Sequence, residues 1–140
     1  MKPIFRTDLL MAILTLASLF TGVKIHYAGH FQSHEVWHNW SAVHFFVNVA
    51  LLATTIIHIK QHWGFYKSLV NKINLRGKVT MLVTMSFTVV ALSGIYLLAF
   101  VEGQGSSAGF AHYVLGLVFG VLGLGHLAKR WKVLKKGIVR

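Results

Sequence analysis

Residues 41–59 read SAVHFFVNVALLATTIIHI, an apolar run that contains no Lys, Arg, Asp or Glu. Residues 110–128 read FAHYVLGLVFGVLGLGHLA and are equally free of these four residue types. A helix needs about 20 mainly apolar residues to cross the hydrocarbon core of a bilayer. Both runs are long enough within the usual tolerance for helix tilt. Each of them therefore predicts a membrane-spanning helix.

Two further runs, 9–27 and 79–101, meet the same criterion. The first of them contains Lys24, and it qualifies if the long side chain of Lys24 reaches the interface. We expect the first run to be retained, because it is longer than the core of a typical signal peptide. Only 12% of the residues are charged, about half the share found in soluble domains. The sequence thus predicts an all-α fold, an integral membrane four-helix bundle that occupies residues 1–140 as a single transmembrane domain.

The net charge of +11 comes from basic residues that cluster at the N-terminus, between the second and third runs, and in the tail. With four spans these segments lie on one side of the membrane, and basic loops favour the cytoplasm. Both termini are therefore predicted to be cytoplasmic, and anionic membrane lipid, not nucleic acid, is the expected partner of the charge. The clustered residues are Lys2, Arg6, Lys60, Lys67, Lys72, Arg76, Lys78, Lys129, Arg130, Lys132, Lys135, Lys136 and Arg140, and the three acidic residues are Asp8, Glu35 and Glu102.

Four histidines lie inside the second and fourth runs and form two pairs. Within each run they are 14 positions apart, as His44 and His58 are, and as His112 and His126 are. That spacing is nearly four helical turns, so both histidines of a run share a helix face at levels about 21 Å apart. Because these two spans run in the same direction, His44 and His112 (the outer pair) share one level. His58 and His126 (the inner pair) share the other.

Two imidazoles at one level can bind a haem iron from opposite sides of the ring. The chain has no cysteine, which excludes iron–sulfur clusters and covalent c-type haem. Ionisable side chains within a span are costly and by default indicate function. The pairs therefore predict two b-type haems, one on each pair, held between facing helices. Residues expected to pack on the haems are Leu51, Thr55, Gly116 and Gly123.

Residues 40–44 (WSAVH), 58–63 (HIKQHW) and 92–94 (LSG), together with the second histidine pair, resemble the flavinylation-associated cytochrome family. Members of that family are small four-helix cytochromes b of bacterial membranes. The resemblance implies a multi-pass protein of the bacterial inner membrane, with an outer and an inner bis-histidine haem. It also implies electron exchange between quinone, or an inner redox partner, and an extracytoplasmic partner. Any flavin would belong to that partner, because no flavin-binding motif occurs here.

Other polar residues are candidates for contacts with a quinone or with haem propionates, which leaves a quinone oxidoreductase activity open. These residues are His26, His38, His62 and Glu102. His62 also follows His58 by one helical turn, so it competes for the inner iron. His58 is favoured because its spacing from His44 matches the spacing in the fourth run.

Several alternatives remain open. Residues 34–38 read HEVWH and match the H-E-x-x-H pattern of zinc metalloproteases, extended by His30. We expect this segment in a short outer loop without an evident third ligand, which weakens the zinc interpretation. Gly116 and Gly120 also fit a G-x-x-x-G helix-packing motif. Further readings are a metal-ion transporter and a non-redox anchor module, and a second copy of the chain is a candidate partner.

Overall fold

The structure is a computed structural model that describes residues 3–71 and 75–138. Within these residues the secondary structure is entirely helical, without any strand, so the predicted all-α fold is confirmed. The helices are α1 (Pro3–Phe31), α2 (His34–Gln61), α3 (Trp63–Asn71), α4 (Leu75–Phe100) and α5 (Ser107–Ile138). Of the clustered basic residues, Lys2, Lys72 and Arg140 lie outside the described part of the chain.

Helices α1, α2, α4 and α5 are each long and apolar enough to cross a membrane. The four runs identified in the sequence fall inside them, except that the third run extends one residue past α4. Large apolar side chains cover the outside of the bundle; Phe46 and Leu98, for example, are 69% and 70% exposed. A continuous apolar surface of this kind is suited to lipid rather than to water. The chain is therefore a multi-pass membrane protein.

Helix packing in the bundle is uneven. Helix α1 packs along α2 and also against α5, and α5 packs against α4. Between the described residues of α2 and those of α4 or α5 there is no packing of comparable extent. The two helices that carry the paired histidines therefore face each other across a space, while α1 and α4 flank that space.

Gly120 sets the close approach of α5 to α1. A Cβ atom at this position would lie 2.9 Å from Cδ1 of Leu19, which is closer than real Cβ contacts. Gly116, one turn earlier, has only Cγ2 of Val90 nearby, at 3.9 Å. The G-x-x-x-G motif therefore serves helix packing at its second glycine, whereas the first glycine has room beside it.

Two connections differ from the prediction. Residues 34–38, predicted as part of an outer loop, form the start of α2, so that prediction was wrong. The helix begins after Ser33, whose Oγ accepts a hydrogen bond of 3.4 Å from the backbone N–H of Val36. Ser, Thr, Asp and Asn are the preferred residues at this N-cap position, because their side chains satisfy free N–H groups of the first turn. The connection between α1 and α2 is consequently only two residues long, Gln32 and Ser33.

Helix α3 lies in the basic segment between the second and third spans and was not predicted. Helix α2 ends at Gln61, and His62 separates it from α3 with its N–H bonded back to the His58 carbonyl at 3.0 Å. Tyr66 attaches α3 to α4, because its hydroxyl lies 3.2 Å from Oγ1 of Thr84. A short helix with aromatic residues next to a basic segment is typical of the membrane interface.

We expect Gly120→Leu to destabilise the bundle, because the new side chain must displace Leu19 from the α1–α5 interface. Overpacking of this kind costs about 1–3 kcal/mol. Gly125→Leu is the matched control, since it replaces another glycine of α5 that has nothing within 4 Å of an added Cβ. Thermal unfolding in detergent, followed by circular dichroism, measures the difference. Equal melting temperatures of the two variants would contradict the packing role of Gly120.

Candidate functional site

The outer pair is brought face to face between α2 and α5. The ring centres of His44 and His112 are 6.3 Å apart. A bond between a metal ion and an imidazole nitrogen is about 2.0 Å long, so two imidazoles on opposite sides of one ion have ring centres roughly 6 Å apart. The separation of the outer pair therefore matches that of two axial ligands of a single iron.

Each outer imidazole is oriented by a hydroxyl group of the preceding helix. Nδ1 of His44 lies 2.8 Å from Oγ1 of Thr21 in α1. Nδ1 of His112 lies 2.7 Å from Oγ of Ser93 in α4. The two hairpins, α1–α2 and α4–α5, thus build the same contact from opposite sides of the site.

The hydroxyl groups also determine which ring nitrogen carries the proton. Thr21 Oγ1 lies 2.9 Å from a carbonyl oxygen of its own helix, and Ser93 Oγ lies 2.8 Å from one. A hydroxyl has one proton, and when it donates that proton to the carbonyl its oxygen accepts the Nδ1–H of the imidazole. The lone pair of each imidazole is then on Nε2, where it is free to bind a metal.

A cavity of about 770 Å³ surrounds the outer pair. Its volume falls within the range of about 300–1,000 Å³ that is usual for ligand pockets. Glycines let the imidazoles lie close to the flanking helices: an added Cβ would come within 3.5 Å of His44 Cε1 at Gly22 and within 3.1 Å of His112 Cε1 at Gly94. Gly116, which the sequence singled out, also lines this cavity. The cavity is mainly apolar, as a porphyrin site requires.

The inner pair lines a separate, smaller pocket of about 120 Å³. The other residues expected at a haem, Leu51, Thr55 and Gly123, line it as well. The hydroxyl of Thr55 donates to the Leu51 carbonyl at 2.8 Å, and among the described residues it has no hydrogen bond to an imidazole. This pocket is below the usual size for an organic ligand. Binding of a porphyrin at this level requires the surrounding side chains to move apart.

The wall between the two levels is made of large apolar side chains. Leu51, Phe87 and Phe119 line both the cavity at the outer pair and the pocket at the inner pair. Leu51 is only 1% exposed, and the rings of Phe87 and Phe119 have centres 5.5 Å apart. These three side chains therefore form the apolar layer between the two levels.

His58 of the inner pair is bound to a carboxylate that the sequence analysis did not connect with it. Its Nδ1 lies 2.8 Å from Oδ1 of Asp8 in α1. The ring of His62 is also near, with its centre 4.6 Å from that of His58. Ligand atoms of Asp8, His58 and His62 all lie within 4.8 Å of one another. Two imidazoles and one carboxylate form a donor set that suits zinc or a transition metal.

His62 lies just beyond the end of α2, outside the spanning segments. Burial has the largest effect on its pKa and lowers it below the usual value. The charges of His58 and Arg130 also lower this pKa, whereas the charge of Asp8 raises it. The net direction is downward, so the imidazole is neutral at physiological pH. In that form it has a lone pair for a metal ion or for a proton.

The residues expected at the outer end are only partly brought together. His26 lines the large cavity and stacks on Tyr113, with ring centres 4.0 Å apart and an angle of 4° between the planes. His38 and Glu102 are exposed and line neither pocket. His30 lies beside His26, with ring centres 4.7 Å apart. Of the residues proposed for quinone or propionate contacts, His26 is therefore the one placed at the outer site.

The H-E-x-x-H segment forms no metal centre in the described part of the chain. His34, Glu35 and His38 lie on the first turns of α2 and are all exposed. The only cluster of three metal-binding side chains among the described residues is the one of Asp8, His58 and His62. The geometry therefore gives the zinc-protease interpretation no third ligand.

Comparison of the chain with protein-family models, with curated proteins and with solved structures finds no match. Function is therefore argued from the chemistry of the site itself.

Proposed function

We propose that the chain is a di-haem cytochrome b that carries electrons across the membrane. The observation that supports this most is the geometry of the outer pair. His44 and His112 have ring centres 6.3 Å apart, and both are aligned through Nδ1 in a cavity of about 770 Å³. A haem, when bound, supplies reversible one-electron chemistry. The remaining tasks, which are ligation, orientation and the exclusion of water, belong to the side chains of this chain.

The flanking helices perform the orienting task at the outer level. Thr21 and Ser93 hold Nδ1 of the two imidazoles, so that each Nε2 is turned to the side of the ring away from the hydroxyl. Partners of this kind fix the tautomer and the ring plane of metal-binding histidines. Gly22 and Gly94 leave space for the rings beside the helix backbones. The mainly apolar lining of the cavity keeps water away and contributes to the reduction potential.

The second haem of the proposal rests on the repeated spacing in the two helices. His58 and His126 lie one level further in, about 21 Å along the helix axes from the outer pair. The hydrocarbon core is about 30 Å thick, so redox groups at the two levels would divide the crossing into shorter steps. Leu51, Phe87 and Phe119 lie between the levels and would separate the two groups.

The proposed partners differ between the two faces of the membrane. Quinone or an inner redox partner exchanges electrons on one side, and an extracytoplasmic redox protein, flavin-bearing as the resemblance implies, does so on the other. The stacked rings of His26 and Tyr113 at the outer cavity suit contact with a flat conjugated group. The basic face binds anionic lipid. In this reading the protein lies in the bacterial inner membrane.

The first test is the absorption spectrum of the purified protein, oxidised and then reduced with dithionite, with haem quantified per chain. We expect sharp α and β bands on reduction and about two haems per chain. His44→Ala and His112→Ala should each remove the outer haem, because each takes away one axial ligand.

His38→Ala is the control, since His38 is exposed and lines neither pocket, and it should retain both haems. A colourless protein that cannot be reconstituted with haem would overturn the cytochrome proposal. So would an unchanged spectrum in both outer-pair variants.

A second candidate function, metal-ion binding for transport, is favoured by the cluster of Asp8, His58 and His62. It predicts a purified protein that carries a divalent metal ion and no haem. His62→Ala would then release the ion, because it removes one of three ligands. The cytochrome proposal predicts instead that His62→Ala keeps both haems. Elemental analysis together with the haem assay on this one variant separates the two functions.

The proposed orientation can be tested by labelling, because the chain contains no cysteine. Ser68→Cys lies on α3 beside the basic segment, and Gln104→Cys lies between α4 and α5. Both residues are exposed. Since basic segments favour the cytoplasm, a membrane-impermeant maleimide should label Gln104→Cys in intact cells. It should label Ser68→Cys only after permeabilisation, and the reverse pattern would invert the orientation.

A further inference from the structure

The cavity around the outer pair is apolar at one end and polar at the other. Leu51 and Phe119 close its inner end. They follow His44 and His112 by seven residues each, so they lie about 10.5 Å further in along the helix axes. The outer end is lined by His26, His30 and Tyr113, together with polar residues of the connection between α4 and α5. A ligand that fills the cavity therefore meets an apolar wall on one side and hydrogen-bonding groups on the other.

Two histidines of α1 lie at the outer end. Thr21, which is bonded to His44, marks the level of the outer pair on α1. His26 follows Thr21 by five residues and His30 by nine, so they lie about 7.5 and 13.5 Å further out along the helix axis. Their ring centres are 4.7 Å apart, and both rings line the cavity. The two imidazoles therefore lie side by side between the outer pair and the end of the bundle.

The ring nitrogens of His26 and His30 have no partner in the described part of the chain. Neither residue has a hydrogen bond there, and their contacts are with other rings. His26 is half-buried and stacks on Tyr113, whereas His30 is more exposed at the mouth of the cavity. The imidazoles of the outer pair, by contrast, are each bonded to a hydroxyl group. Polar groups inside a membrane bundle need partners, so the N–H groups of His26 and His30 indicate a ligand in the cavity.

These donors suit an anionic group. Among the described residues, the lining of the cavity includes no Lys, Arg, Asp or Glu. Lys24, the basic residue of this half, lies over the rings of Phe20 and Trp40 instead. An imidazole has an N–H to donate in either protonation state, and its hydrogen bond is stronger when the acceptor is ionised. A carboxylate at the outer end would therefore meet two donors and no acidic side chain that lines the cavity.

A haem matches this division of the cavity, because one edge of its ring carries apolar groups and the opposite edge carries two propionate carboxylates. The apolar edge suits the wall of Leu51 and Phe119, where an unpaired carboxylate would be costly. We propose that His26 and His30 bind the propionate carboxylates of the outer haem, so that this edge of the ring faces the outer end of the bundle. The inference rests on the proposed cytochrome function, and within it only on the haem of the outer pair.

Titration of the haem-free protein with haem and with haem dimethyl ester tests the inference. Esterification removes both negative charges and leaves the ring and the iron unchanged. Porphyrin is added up to one equivalent per chain, which fills the outer cavity first because the pocket at the inner pair has only about 120 Å³. We expect the unmodified protein to bind haem about tenfold or more tightly than the ester, because hydrogen bonds to a charged acceptor are the stronger ones.

Replacement of each imidazole by a ring without an N–H group gives the decisive comparison. His26→Phe retains a flat ring that stacks on Tyr113. In His26→Phe and in His30→Phe, the affinity for haem should fall by about tenfold while the affinity for the ester stays the same. The difference between the two ligands then narrows. His38→Phe is the matched control at the same end, since His38 is exposed and lines neither pocket, and it should keep the full difference.

Failure of the inference and failure of the proposed function give different results. If both porphyrins bind and their affinities differ as much in His26→Phe and His30→Phe as in the unmodified protein, the imidazoles hold no propionate and the cytochrome stands. Equal binding of haem and ester by the unmodified protein overturns the inference as well. If neither porphyrin binds, the cytochrome function itself fails. Should His26→Phe not fold, His30→Phe decides alone, because His30 lies exposed at the mouth of the cavity.

Discussion

A polar side chain inside the hydrocarbon must find its hydrogen-bond partner within the bundle, and this constraint governs the whole site. The hydroxyl groups of Thr54 and Thr84 meet it locally, by donating to a carbonyl one turn earlier in their own helix. Three of the four paired imidazoles reach a neighbouring helix instead: His44 reaches Thr21, His58 reaches Asp8 and His112 reaches Ser93. Within the described residues no buried side-chain nitrogen or oxygen is left without a partner. The histidines therefore join the helices as well as offering a ligand atom.

The two helical hairpins meet this constraint with the same local device. In each, a hydroxyl residue is followed directly by glycine on the first helix, as in Thr21-Gly22 and Ser93-Gly94. The second helix then supplies the imidazole that bonds to the hydroxyl and lies against the glycine. At Gly94 an added Cβ would lie 3.1 Å from His112 Cε1, which is closer than most Cβ contacts, whereas at Gly22 the distance of 3.5 Å to His44 Cε1 is an ordinary contact. Two such hairpins, held together by α1 and α5, leave the space between α2 and α5 open.

Those features that depend on lipid and on helical periodicity could be predicted from the sequence. The four spans follow from uncharged runs, and the alignment of His44 with His112 follows from two equal spacings. The partner of His58 could not be found in this way, because contact with Asp8 depends on the register of α1 against α2, which packing sets. The Thr-Gly and Ser-Gly pairs were a usable signal, since each precedes a histidine-bearing span. Helix α3 was not predicted, because it is too short to contain a membrane-spanning run.

The contrast between the two levels has a consequence for the electrostatics of the membrane interior. In the proposed function, oxidation would add one positive charge at an iron held by two neutral imidazoles, and charge is costly in a medium of low dielectric constant. Among the described residues, the hydrogen-bond partners of the two outer imidazoles, Thr21 and Ser93, are neutral. Lys24, the basic residue of that half, packs over the rings of Phe20 and Trp40, at 5.6 and 5.8 Å from their centres. Asp8 offers compensation at the inner level alone. The two levels therefore differ in the charge next to their histidines, although the ligand type is the same at both.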